Sequence, residues 1–149
     1  MINPLRNWRS FSTVFALALL VAVGCATTDG SSPQDIKVTL TGDQEVPPVK
    51  TSASGTAAFV ISADKTVSGS VTTSGIEATA AHIHEAAKGV NGPVIVPLTK
   101  SANNTWATSA GAKLTDAQYA SYLAGNLYVN VHSAAHKGGE IRAQLPPVK

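Results

Sequence analysis

The sequence predicts an all-β domain, an antiparallel β-sandwich or Greek-key-like barrel of about eight short strands with one short helix. Three observations carry this. Apolar residues recur at every second position in one segment after another. Turn-forming residues separate those segments. Charged residues make up only 13% of the chain, while Gly, Ala, Ser, Thr and Val dominate, a mixture that suits strands better than long exposed helices.

The elements follow in order. Ile36, Val38 and Leu40 alternate with Lys37, Thr39 and Thr41, giving a half-buried first strand. Gly42 to Ser52 is a loop containing Glu45-Val46-Pro47-Pro48. In Gly55 to Ser62, Ala57, Phe59 and Ile61 share one face. Asp64-Lys65 turns the chain into Thr66 to Thr73, where Val67 and Val71 share a face, so this pair reads as a hairpin. Ala80 to Glu85 and Pro93 to Leu98 are two more strands, joined by a loop with Gly89 and Asn91-Gly92. Thr105 to Ser109 is a short strand centred on Trp106. Thr115 suits a helix N-cap, Asp116 suits the positive helix start, and Gly125 lies just past the last turn. The helix spans Asp116 to Ala124 and packs through Tyr119, Tyr122 and Leu123. Leu127 to His132 and Glu140 to Leu145 are the closing strands.

Residues 1–24 read as a removable export leader. Arg6 and Arg9 precede a mostly apolar run, Phe11 to Val23, shorter than the about 20 residues a bilayer-spanning helix needs. The run ends at Ala22-Val23-Gly24-Cys25, which resembles a bacterial lipobox. That resemblance implies diacylglycerol on Cys25, cleavage before it and acylation of its new amino group. Two or more chains anchor a protein stably where one does not. Ala26 after the cysteine implies an outer-membrane destination if the host is Gram-negative. Cys25 is the only cysteine, so the mature domain forms no internal disulfide. Residues 25–35 then form a flexible tether, 36–145 the folded domain, and 146–149 a tail that two prolines keep out of any central strand. Two of the 11 Lys and Arg residues lie in the leader, leaving nine to match 9 Asp and Glu. A formally neutral domain argues against a nucleic-acid binder, which shows a concentrated basic patch.

The four histidines, His82, His84, His132 and His136, are the constellation able to carry chemistry. Side chains two apart on a strand share a face. His82 and His84 therefore point together, opposite Ile83, and Asn130 and His132 point together, opposite Val129 and Val131. Glu140, Arg142 and Gln144 alternate likewise with Ile141, Ala143 and Leu145. Apolar alternates belong to the core and polar ones to the outside. If the His-Ile-His strand neighbours the C-terminal hairpin, three imidazoles meet on one sheet face, with His136 in the hairpin loop. Neutral imidazoles suit copper or zinc. Glu85, Asn130, Glu140 and Arg142 are candidate supporting partners of such ligands. The competing reading makes these histidines ordinary polar surface. No nucleophile elbow, His-Glu-x-x-His helix or CxxC is present.

Several motifs occur in order along the domain: Leu40-Thr-Gly-Asp-Gln-Glu-Val-Pro-Pro-Val49, Ser54-Gly-Thr-Ala-Ala-Phe59, Ala81-His-Ile-His84, Asn91-Gly-Pro-Val94, Gly125-Asn-Leu-Tyr-Val-Asn-Val-His132 and Gly139-Glu-Ile-Arg142. Together they resemble the CHRD domain, named after chordin. The resemblance implies an all-β extracellular or envelope module, often a single-domain lipoprotein in bacteria, with no general activity attached. His82, His84, Asn130, His132 and the Gly139–Arg142 run match the family's motifs. Ala143 stands where a glycine is common, and the loop around His136 departs from the family pattern. The His82–Glu85 strand is also similar to copper-binding strands of copper/zinc superoxide dismutase, but that enzyme's cysteine pair and zinc-binding stretch are absent.

Three functional classes follow from these features. One is a non-catalytic, lipid-anchored envelope module that binds copper or zinc. Another is an adhesion or matrix-interaction domain whose polar face meets a protein or glycan. The third is a metal-dependent redox enzyme.

Overall fold

The computed structural model describes residues 34–147. The leader, Cys25 and most of the tether lie outside the described residues. Eight strands appear: β1 (Gln34–Thr41), β2 (Ser54–Ile61), β3 (Val67–Ser74), β4 (Ala78–Glu85), β5 (Val94–Ala102), β6 (Thr105–Thr108), β7 (Leu127–Ser133) and β8 (Ile141–Gln144). One helix, α1 (Asp116–Leu123), separates β6 from β7.

All pairings are antiparallel, and the strands close in the order β1-β2-β3-β6-β5-β4-β7-β8, with β8 returning to β1 through Thr41 and Arg142. Closure removes the sheet edges that would otherwise invite another chain. Two three-strand meanders and a final hairpin make up the ring. The expected β2–β3 hairpin is present, with Ala57 opposite Val71. β4, the His-Ile-His strand, lies directly beside β7, with Ile83 opposite Val129.

The interior is filled by the apolar alternates. Ile36, Leu40, Phe59, Ile61, Val71, Ile83, Val96, Trp106, Val129, Val131 and Ile141 are all buried there. Period-two alternation thus assigns the inward face correctly on every strand that bears on the site. Thr115 caps α1 through a reciprocal capping box: its side chain accepts from the Gln118 backbone N–H, and the Gln118 side chain accepts from the Thr115 N–H.

Four expectations need correction. Gln34 and Asp35, expected in the tether, already belong to β1, paired with Ile61 and Val60. β5 runs on past Leu98 to Ala102, because an Asn103-Asn104 turn lets it pair with β6. Leu123 is 42% exposed, and α1 packs instead through Tyr122, with Tyr119 partly buried beside it. Finally, the outward polar residues of β7 and β8 are not solvated. Asn130 is 2% exposed and Arg142 only 1%. Two loops fold over this face, residues 42–53 between β1 and β2 and residues 86–93 between β4 and β5. Asn91 Nδ2 donates to the Val46 carbonyl, tying one loop to the other at 2.8 Å. The barrel therefore has an apolar interior and a second, polar core on its outer side.

Candidate metal centre

The polar core is built from in-register residues of three adjacent strands. His82 on β4 faces Asn130 on β7, which faces Arg142 on β8. One step along, His84 faces Tyr128, which faces Gln144. Antiparallel neighbours place such side chains side by side on one face.

His82, His84 and His132 converge. One ring nitrogen from each lies within 4.8 Å of the other two. His82 Nδ1 is 3.0 Å from His132 Nε2. His84 Nδ1 lies 2.9 Å from the Gly92 carbonyl and His132 Nδ1 lies 2.9 Å from the Lys137 carbonyl. A carbonyl can only accept, so both Nδ1 atoms carry the proton; His84 Nε2 keeps a free lone pair, and the His132 Nε2 lone pair accepts from His82 Nδ1–H. Fixing the tautomer through a backbone carbonyl is how ligating imidazoles are held. His84 Nε2 is buried and has no hydrogen-bond partner. His82 and His132 are half-buried.

The rings of His82 and His84 are also kept neutral. Burial, with His132 and His84 close by, pushes the His82 ring down to about 4. Burial likewise pulls His84 below its ordinary value, opposed by its bond to Gly92. Neutral imidazole is the form that ligates.

Gly92 makes the arrangement possible. A Cβ there would run into the Glu85 carbonyl, so only glycine lets this loop pass close to β4. Its carbonyl then reaches His84 while its N–H donates to the Tyr128 hydroxyl at 3.2 Å. Tyr128 lies flat against His84, with ring centroids 4.8 Å apart and 8° between planes. The Arg142 guanidinium covers the Tyr128 ring, 3.4 Å from its centroid. Arg142 also donates to Asn91 Oδ1 and to the Val90 carbonyl, so its charge ties the 86–93 loop down.

Behind this lies Glu45, 4% exposed. Burial pushes its carboxyl up to about 7, although Arg142 and a hydrogen bond with Asn130 pull the other way. Gly139, at φ +131°, has no room for a Cβ against Glu45 Oε1 and Asn130 Nδ2. Asn130 thus lies beside Glu45, on the strand next to that of His84.

The other expected residues fall elsewhere. His136 is not part of the three-histidine group. It sits in the β7–β8 turn, its N–H donating to Ser133 Oγ. Glu85 has the inward parity of Ile83, and its carboxylate accepts from Ser121 on α1, so it does not support the histidines. Glu140 accepts from Thr51 Oγ1 at 2.7 Å. Burial disfavours its ionisation, but bonds from Ser133 and Thr51 and the nearby His136 outweigh that and hold it below the ordinary value. It anchors the 42–53 loop rather than a ligand. Asn130 and Arg142 do lie against the site. Glu45, Tyr128 and Gly92 were not singled out from the sequence. Tyr128 shares the parity of Asn130 and His132 and was legible on that ground; Glu45 sits in a loop, where no period exists.

No curated protein and no solved structure matches this chain significantly. The family model of the CHRD domain does match, over residues 36–145, which span nearly all of the barrel and the whole polar core. The chain belongs to the CHRD domain family.

Proposed function

We propose that this CHRD domain is a binding module that takes a copper or zinc ion through His82, His84 and His132. The supporting observation is His84 Nε2, a buried ring nitrogen without a hydrogen-bond partner, in a ring grouped with those of His82 and His132. Buried polar atoms are nearly always satisfied, so an orphan of this kind calls for a missing partner. Three neutral nitrogens fit copper or zinc far better than magnesium or calcium, which want oxygen. A tetrahedral ion at Zn–N distances of 2.0–2.1 Å needs donors about 3.3 Å apart. The present spacing, from 3.0 Å to at most 4.8 Å, is close to that, and the proton between His82 Nδ1 and His132 Nε2 would leave Nδ1 as the ion binds. The role is binding rather than turnover.

Calorimetric titration of the full chain in detergent with zinc and with copper(II) tests this. One ion should bind per chain, and His82→Ala/His84→Ala should weaken it by more than about 100-fold, beyond what loss of a supporting partner alone costs. Equal, weak binding by both proteins would overturn the reading.

The setting we propose is the cell envelope, with the domain anchored through lipid on Cys25. The apolar run ending in Val23-Gly24-Cys25 supports it. Mass spectrometry of envelope protein should find an acylated N-terminal Cys25, and Cys25→Ser should release the protein from membranes. An unlipidated N-terminus elsewhere would contradict it.

A further inference from the structure

Resting on the metal site just described, we propose that the bound ion keeps one coordination position open to the outside, and that this position takes a small monovalent anion. The three donors come from two adjacent strands and one face of the sheet. Donors from one face would leave the side of the ion away from the barrel for another ligand. His82 and His132, which flank buried His84, are half-buried, so the approach is from solvent.

No fourth protein ligand is on hand. Among the described residues the cluster contains histidines alone, with no Asp, Glu or Cys. The nearby carboxylates are committed elsewhere: Glu85 to Ser121, Glu140 to Thr51, and Glu45 beside Asn130 with Arg142. The Arg142 guanidinium lies over the Tyr128 ring, which in turn stacks on His84. A divalent ion held by three neutral rings therefore keeps its full charge, in a field that a second cation makes more positive. Of the ligands able to reach the open position, an anion lowers that charge directly, whereas water does so only by giving up a proton.

Azide added to the copper(II)-loaded full chain in detergent is the probe. The expected result is a saturable azide-to-copper charge-transfer band, with the electron paramagnetic resonance spectrum changed but still coupled to histidine nitrogens. An unchanged spectrum with histidine coupling present would overturn the open position and leave the metal site standing. Azide that strips copper from the protein would overturn it as well. Copper without histidine coupling would remove the metal site itself, and this proposal with it.

Discussion

Two ranks of side chains cross the outside of this barrel in the same way and meet opposite fates. On one side Thr39, Thr56 and Thr72 stand in register across β1, β2 and β3. On the other, His82, Asn130 and Arg142 stand in register across β4, β7 and β8. All three threonines are exposed. Of the second rank only His82 remains partly open, and Arg142 is the largest fully buried side chain in the domain. Strand geometry is shared, so the difference comes from the loops. Residues 42–53 and 86–93 close over the second rank, held by Arg142, Asn91 and the Glu140–Thr51 bond. A polar residue that would be inert on an open sheet becomes, under a loop, a group whose charge and tautomer are dictated.

The comparison breaks most visibly at Arg142. Arg142→Met removes the donor to Asn91 Oδ1 and the Val90 carbonyl and leaves Glu45 without its cation. It should cost about 3–5 kcal/mol in denaturant unfolding. A cost below about 1 kcal/mol would mean that the loops are not held by this side chain.

Glu45 gives the next effect. Its folded-state value, about 7, lies above the ordinary 4.5. The folded protein thus holds this proton more tightly than the unfolded chain. The resulting penalty is absent below pH 4.5 and grows as pH rises through 7. Glu45→Gln should match the parent at pH 4 and be more stable by about 1–3 kcal/mol at pH 8. Parallel stability–pH curves would contradict the buried-acid assignment.

His82 carries the opposite sign. Its folded value of about 4 lies below the ordinary 6.5, so the stability it contributes is present above 6.5 and lost as pH falls towards 4. Ring-nitrogen NMR of the metal-free protein should show His82 neutral at pH 5.5. A protonated ring there would mean that the site is wetter than described.

The smallest effect is expected in the exposed rank. Thr72→Ala should change stability by no more than about 0.5 kcal/mol. A larger loss would point to something covering that face as well.

The sequence made the inward half of this molecule legible and the outward half only partly so. Ile83 between two histidines, and Val129 and Val131 around Asn130, fix the parity of β4 and β7, and a one-residue slip would turn every side chain over. That parity is why His82, His84 and His132 could be assigned to one face before any coordinates. Whether the outward face is wet depends on where loops travel, and loop paths leave no period. Glu45-Val46-Pro47-Pro48 reads as an ordinary turn-rich loop, yet it buries an acid against Arg142. Leu123 shows the same limit on α1: it lies beside Tyr122 in sequence, but an eight-residue helix offers the barrel a narrow stripe, and Tyr122 fills it.

The central claim is that three imidazoles on one outer face form a metal site. X-ray absorption at the zinc edge of the zinc-loaded full chain tests it most directly, since it reads the donor atoms themselves. Three imidazole nitrogens at about 2.0–2.1 Å, with one further light-atom ligand, are the predicted shell. A shell dominated by water or carboxylate oxygen, or by the sulfur of Cys25, with one imidazole or none, would contradict it.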